Sequence, residues 1–284
     1  MKNRFFALIL VAIAVASFAP VSGTAQLLFN ENFDYVAGSP LLDNGWALTN
    51  STLNPILVTS SGLTYAGYQS SGIGNAAGMV STGQDVRKDF TEQSTGTLYA
   101  GFLVNVSAAQ ANGDYFLHFI QPPGGSNVFK GRVWIKKDPS SSNFAFGITK
   151  SSTTSAQIAY TGYNYALNTT YLVVLKYKFN SGTYNDDVAL FIDPVIGAPE
   201  PGTPAVSYID NTQADAASLG FIALRQGSAT NAPTLQVDGI RIGQTWDDVT
   251  GAIAVVPTLS EWGLILLGMA LLGIGSIYIL RGKI

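Results

Sequence analysis

The sequence predicts an all-β, antiparallel two-sheet sandwich flanked by an N-terminal signal peptide and one C-terminal transmembrane helix. Three observations carry this. Between Leu27 and about Thr250 the apolar residues alternate, or cluster in short blocks bounded by Gly, Asn, Asp, Ser and Pro, which is the pattern of strands and their turns. The 284-residue chain is 47% hydrophobic but only 12% charged and holds 30 Gly, a composition that suits strands and tight turns better than solvated helices. Both ends depart from this pattern with uncharged apolar runs beside basic residues.

At the N-terminus, Lys2 and Arg4 precede the apolar run Phe5 to Ala16, and a small-residue stretch ends in Gly23-Thr24-Ala25. A charged start, a short apolar run and an A-x-A-like site define a signal peptide over residues 1–25. The exported chain has no Cys. Its stability must therefore come from core burial, for which one domain over residues 26–250 has enough interior.

Along that domain, "TLYAGFLVNV" places Leu98, Ala100, Phe102, Val104 and Val106 on one face. "YFLHFI", "FKGRVWIKK", "FAFGITK", "TYLVVLKYKF", "DVALFID", "LGFIALR" and "TLQVDGIRIG" follow as further strands. Turn chemistry separates them in "QPPGGSN", "KDPSSSN", "NSGTYNDD" and "EPGTP". The strand at Tyr171 to Lys178 is apolar on both faces over part of its length, as interior strands of two packed sheets are. Asp247 to Val256 reads as the exit from the domain, with residues 251–256 as a linker.

Beyond it, the uncharged run Gly263 to Leu280 approaches the length needed to cross a bilayer. Arg281 and Lys283 follow and would stay in the cytoplasm, leaving the β domain outside. Before the run stand Val256, Pro257, Thr258, Leu259, Ser260, Glu261, Trp262 and Gly263. Pro257 pre-sets a helix start, Ser260 and Glu261 favour a helix N-terminus, and Trp262 suits a membrane interface.

This string, the glycine-containing run and the basic tail together resemble the IPTL-type C-terminal sorting signal of Gram-negative bacteria, related in layout to PEP-CTERM signals. Val256 stands where the namesake pattern has Ile. The resemblance covers residues 257–284 and their flank. It implies a sorting protease of exosortase type as partner, at least transient residence in the inner membrane, and delivery to the cell surface or extracellular matrix, or retention as an anchor. The domain itself, through "ENFDYVAGSPLLDNGW", "LNTTYLVVLKYKFNSGTYNDDVALFIDP" and "LQVDGIRIGQTWDDV", resembles laminin-G-like, concanavalin-A-like jelly rolls. That resemblance implies a jelly-roll topology and names no ligand.

Some chemistries are excluded outright. One His and no Cys leave no multi-histidine or thiolate metal site, and a net charge of −3 without a basic stripe argues against nucleic acid as partner. Glycoside hydrolysis needs two carboxylates flanking the bond, yet the only Glu residues are Glu31, Glu92, Glu200 and Glu261, none beside another acid on a clear strand. His118, alone among aromatic residues, reads as a core histidine. The expectation is a non-catalytic surface or matrix protein that binds a glycan or another surface polymer. Its alternatives are a hydrolase or lyase using Asp residues and a self-associating structural protein.

Two groups of residues are candidates for contact. In "GRVWIKK", alternation sets Arg132, Trp134 and Lys136 opposite Val133 and Ile135, on a face that reads as solvent-exposed. Trp134 would then stack on a sugar between cations, the alternative being cationic stems packed over a covered Trp. Asn185, Asp186 and Asp187 offer hard oxygen ligands for calcium, although the same residues make an ordinary hairpin turn. No other cofactor is indicated.

Overall fold

The computed structural model describes residues 27–50, 52–124, 128–252, 265–269 and 271–272. The strands, in chain order, are β1 (Phe29–Glu31), β2 (Ala47–Leu48), β3 (Leu57–Val58), β4 (Ala77–Met79), β5 (Asp85–Gln93), β6 (Thr97–Ala108), β7 (Asp114–Ile120) and β8 (Phe129–Lys137), then β9 (Phe144–Thr149), β10 (Ala159–Tyr160), β11 (Thr170–Lys178), β12 (Asp187–Ile192), β13 (Val206–Ile209), β14 (Leu219–Arg225) and β15 (Thr234–Gly243). A short helix, α1 (Trp246–Thr250), follows.

Every strand pairing is antiparallel, and the strands form two sheets. The eight-stranded sheet runs β13-β12-β11-β6-β15-β4-β3, with β1 also on β15. The seven-stranded sheet runs β10-β9-β8-β7-β14-β5-β2. Each sheet thus joins strands from both halves of the chain, as the jelly-roll expectation requires. The sheets close on one apolar core, to which β6 contributes Leu98, Ala100, Phe102, Val104 and Val106, all fully buried. Burying each larger side chain contributes roughly 1.5–3 kcal/mol before cavity effects.

Strands of the eight-stranded sheet are apolar on both faces because its outer face is covered as well. Tyr99, Val174, Phe191, Trp246 and Val249 form one outer cluster, and Leu63, Tyr68, Leu103 and Leu172 another. Here the structure corrects the expected domain exit. Instead of leaving, residues 246–250 turn into α1 through a Thr245/Asp248 capping box. Trp246 is seated against Phe191 at 4.9 Å and donates Nε1–H to the Ala198 carbonyl at 3.0 Å.

One long strand carried a weak sequence signal. β5 has only Val86 and Phe90 as apolar residues and is otherwise polar, so periodicity hardly marks it. It pairs with β14 nonetheless, because Val86 and Phe90 reach the core while Lys88 ion-pairs with Glu31 at 2.7 Å.

Candidate functional site

The outer face of the seven-stranded sheet concentrates the chemistry of the molecule. Alternation sends Val133 and Ile135 inward, as expected, and Arg132, Trp134 and Lys136 outward. Register then sets their neighbours. Trp134 lies between Tyr115 of β7 and Gly147 of β9, while Arg132 is opposite Thr149 and Lys136 opposite Ala145. Across β14 and β5 the same face presents Phe221 opposite Asp89, Ala223 opposite Arg87, and Arg225 opposite Asp85.

The expected exposure of this face does not hold at its centre. Trp134 is 5% and Arg132 8% exposed, and only Lys136 of the three is partly open. Aromatic rings on neighbouring strands cover them. Tyr115 lies 5.2 Å from Trp134, and the Arg132 guanidinium sits 4.7 Å from the Tyr115 ring and 5.5 Å from that of Phe129. Gly147 admits the next ring, since a Cβ there would stand 2.6 Å from Tyr160 and 3.1 Å from the Trp134 Cβ. Trp134 therefore has no open face for a sugar, and the cationic stem packs over rings as in the alternative reading.

His118 is 2% exposed, 4.3 Å from Phe129 and 5.4 Å from Tyr115. Neither of its ring nitrogens has a hydrogen-bond partner. Burial, reinforced by Arg132 and Arg225, holds its imidazole well below the usual range and neutral. A histidine without an orienting carboxylate or a nearby hydroxyl does not form a nucleophilic relay.

Sequence reasoning missed most of the remaining members. Arg225 donates from Nη1 to Asp114 Oδ1 at 2.8 Å, keeps Nε 3.9 Å from Asp85 Oδ2, and stacks 4.1 Å from the Tyr115 ring. Arg87 lies 4.3 Å over the Phe221 ring. Burial pushes the Asp85 carboxyl up to about 6, against the opposing pull of Arg225 and the Gln226 amide. A groove of about 320 Å³ adjoins the cluster, lined among others by Asp85, Arg87, Ile120, Gly124 and Phe129. A signal for these residues existed: alternation in "DVRKDFTEQ" and "LGFIALR" puts Asp85, Arg87 and Asp89, and Phe221 and Arg225, on common faces, as it does in "GRVWIKK".

The other candidates lie elsewhere. Asp186 is 1% exposed and accepts from the Tyr177 hydroxyl at 2.6 Å and the Asn180 amide at 2.8 Å. The Asn185 side chain donates to the Ser181 carbonyl, and Asp187 accepts from the Asn180 side chain. These contacts build the β11–β12 hairpin turn and point the three side chains to different partners. Among the described residues no group of three or more His, Cys, Asp or Glu is placed to hold a metal ion. Glu31 bonds Lys88 and Tyr35, and Glu200 bonds Lys176 and Tyr99, both at 2.6–2.7 Å. Residues 1–25, the linker beyond 252, and the string Val256 to Gly263 lie outside the described residues. Of the run 263–280, residues 265–269 and 271–272 are described and helical, and among the described residues no helix is long and apolar enough to cross a membrane.

With this geometry in place, comparison with known proteins is informative at the C-terminus. Residues 254–276 match the family model of the IPTL-CTERM motif. No curated protein matches the chain in sequence. Among solved structures, domain 4 of the arabinanase AbnA from Geobacillus stearothermophilus, crystallised with arabinotriose, is similar at 14% identity and TM-score 0.40, over 78% of this chain and 93% of that one. The Emp47p carbohydrate recognition domain is similar at 8% identity and TM-score 0.43, over 78% and 97%. A glycoside hydrolase family protein from Mycobacterium thermorestibile is similar at 13% and 0.37, over 76% and 100%. The chain is an all-β two-sheet sandwich protein that carries an IPTL-CTERM motif at residues 254–276, a sorting signal for export and for association with the surface or membrane.

Proposed function

We propose that the protein is a non-catalytic module of the cell surface or extracellular matrix that binds a glycan or another surface polymer with the outer face of its seven-stranded sheet. The observation that carries this reading is the arrangement of that face. Around a buried centre of Tyr115, His118, Arg132 and Trp134 stands a half-buried rim of Arg87, Phe129, Lys136, Tyr160, Phe221 and Arg225. Rings present apolar faces that stack on sugars, and guanidinium groups supply the fixed donors that orient a polar ligand. The carboxylates that hydrolysis would need are largely committed to structural pairs: Glu31 to Lys88, Glu200 to Lys176, and Asp114 to Arg225.

The test uses the full chain in a polyoxyethylene detergent, titrated calorimetrically with soluble polysaccharides. Binding is expected, with Tyr160→Ala and Phe221→Ala each weakening it by about 2- to 10-fold, the range of one aromatic contact, without change in m-value. Unchanged affinity in both variants would remove the face from the reading. One observation favours a second reading, a glycan-active enzyme: the Asp85 carboxyl, pushed up to about 6 by burial, shares Arg225 with Asp114, so two carboxylates stand together as hydrolysis requires. New reducing ends in the same incubations, lost in Asp85→Asn, would favour it over binding alone.

Delivery is part of the proposal. An exosortase-type protease would recognise residues 256–263 and remove the helix. Intact-mass measurement of protein from the outer surface of the native host is expected to give a C-terminus between Val256 and Gly263. A mass that includes Ile284 would make the tail a permanent anchor instead.

A further inference from the structure

We infer that Arg132 anchors a carboxylate-binding subsite on this face, so that the polymer recognised is an acidic glycan. The inference rests on the proposed binding role of the face and specifies its ligand. Arg132 is 8% exposed, yet neither its Nε nor its Nη1 has a hydrogen-bond partner. The adjoining Trp134, 5% exposed, carries an unpartnered Nε1, and Arg87 an unpartnered Nε. These three orphaned side chains are donors only. A buried donor left unpaired is costly, and a buried guanidinium without a counter-charge more so. Arg132 and Trp134 are two residues apart on β8, and the group that pairs with their donors is acceptor-only and anionic; Arg87, three strands away on β5, would meet a further part of the same polymer.

The charges agree. Asp114 and Asp85 both lie against Arg225, whereas Arg132 and Arg87 make no ion pair among the described residues. Of the described guanidinium groups on this face only Arg225 is ion-paired, while Arg132 sits at its buried centre and Arg87 at the groove edge. Access is defined by Phe129, which flanks the Arg132 guanidinium at 5.5 Å and also lines the groove of about 320 Å³. The rings of Tyr115 and Phe129 flank the Arg132 guanidinium at 4.7 and 5.5 Å. A planar carboxylate matches a guanidinium held this way, while a neutral hydroxyl brings a donor that finds no acceptor on Arg or Trp.

The experiment titrates the full chain in polyoxyethylene detergent with polygalacturonate, its fully methyl-esterified form, dextran sulfate and dextran. Polygalacturonate is expected to bind at least 10-fold more tightly than each of the others. Arg132→Met is expected to lower that affinity at least 10-fold, and Arg132→Lys less, with little change in melting temperature, since the side chain makes no ion pair among the described residues and Met keeps an apolar stem against the Tyr115 and Phe129 rings. If Arg132→Met does not fold, Trp134→Phe, which keeps the ring and removes one donor, and Arg87→Gln are each expected to weaken binding about 3-fold or more. Equal affinity for the acid and its ester overturns the carboxylate subsite and leaves the binding face standing. Dextran sulfate binding as tightly as polygalacturonate overturns it in favour of bulk charge, and unchanged affinity in the Arg132 variants removes Arg132 from the site. Absence of binding to all four polymers overturns both the subsite and, for these glycans, the proposed function.

Discussion

Asp215→Ala is expected to lower the unfolding free energy by about 3–5 kcal/mol, the range for removing one partner of a buried ion pair. Lys150 is fully buried, and its ammonium lies 2.7 Å from Asp215 Oδ1. The same carboxylate accepts the amides of Asp186 and Asn185, both at 2.9 Å. Lys130, also buried, places its ammonium on the neighbouring Ala214 carbonyl, and burial together with Lys150 holds it below the usual lysine range. One carboxylate therefore balances an ammonium with no route to water and fastens the β11–β12 turn to the segment before β14. At roughly 2–4 °C per kcal/mol for a domain of this size, the melting temperature is expected to fall by about 6–20 °C. Adding Lys150→Met to Asp215→Ala is expected to recover part of the loss, because the stranded charge goes with it. A melt within 2 °C of the parent would show that the pair contributes little.

Stability is expected to decline as pH rises towards neutrality. Asp238, fully buried, accepts the amides of Leu63 at 2.7 Å and Gly239 at 2.6 Å, yet burial outweighs these bonds and pushes its carboxyl up to about 7. A raised folded-state value means that the native state holds a proton the unfolded chain has released. The contribution is complete below about pH 4 and is lost as pH rises through about 7, on the order of 4 kcal/mol in all. Asp85, pushed up to about 6, has the same sign over a narrower window. His118 acts in the other direction: neutral in the folded state, it is protonated in the unfolded chain below about 6.5, so its contribution is lost as pH falls. Asp215, held low chiefly by Lys150 and backbone amides against the effect of burial, contributes stability that disappears only in strong acid. Denaturant unfolding at a series of pH values isolates the Asp238 component as the difference from Asp238→Asn. That difference is expected to shrink by about 4 kcal/mol between pH 4 and pH 8, and a constant difference would show that Asp238 is ionised throughout.

Much of the fold was legible because strand alternation is a local property. Val133 and Ile135 could be assigned to the core, and Leu98 to Val106 to one buried face, from spacing alone. α1 was not legible in the same way. Its five residues are too few to show helical periodicity, and only the pocket formed by Tyr99 and Phe191 makes Trp246 part of the fold. β5 escaped notice because its contribution to the core is two residues, with a lysine between them that is acceptable only because Glu31 of β1 meets it. The candidate site shows the same limit. Arg132, Trp134 and Lys136 could be grouped, but their burial depends on Tyr115 from β7 and Tyr160 from β10, and Arg87 and Arg225 join them only through pairings of β5 and β14.

By itself the sequence determined the all-β class, the inward or outward direction of each strong strand's side chains, the lack of thiol and multi-histidine chemistry, and the C-terminal sorting motif around Val256 to Gly263, which the family model matches over residues 254–276. Each of these is written in composition or in neighbours a few residues apart. The tertiary structure decided which strands lie side by side, and so brought Arg87, Tyr115, Arg132 and Arg225 onto one face and left the Arg132 donors buried without partners. It did so because pairing between strands far apart in the chain is selected by the shared core on the inner face, and the residues on the outer face become neighbours as a consequence of that packing.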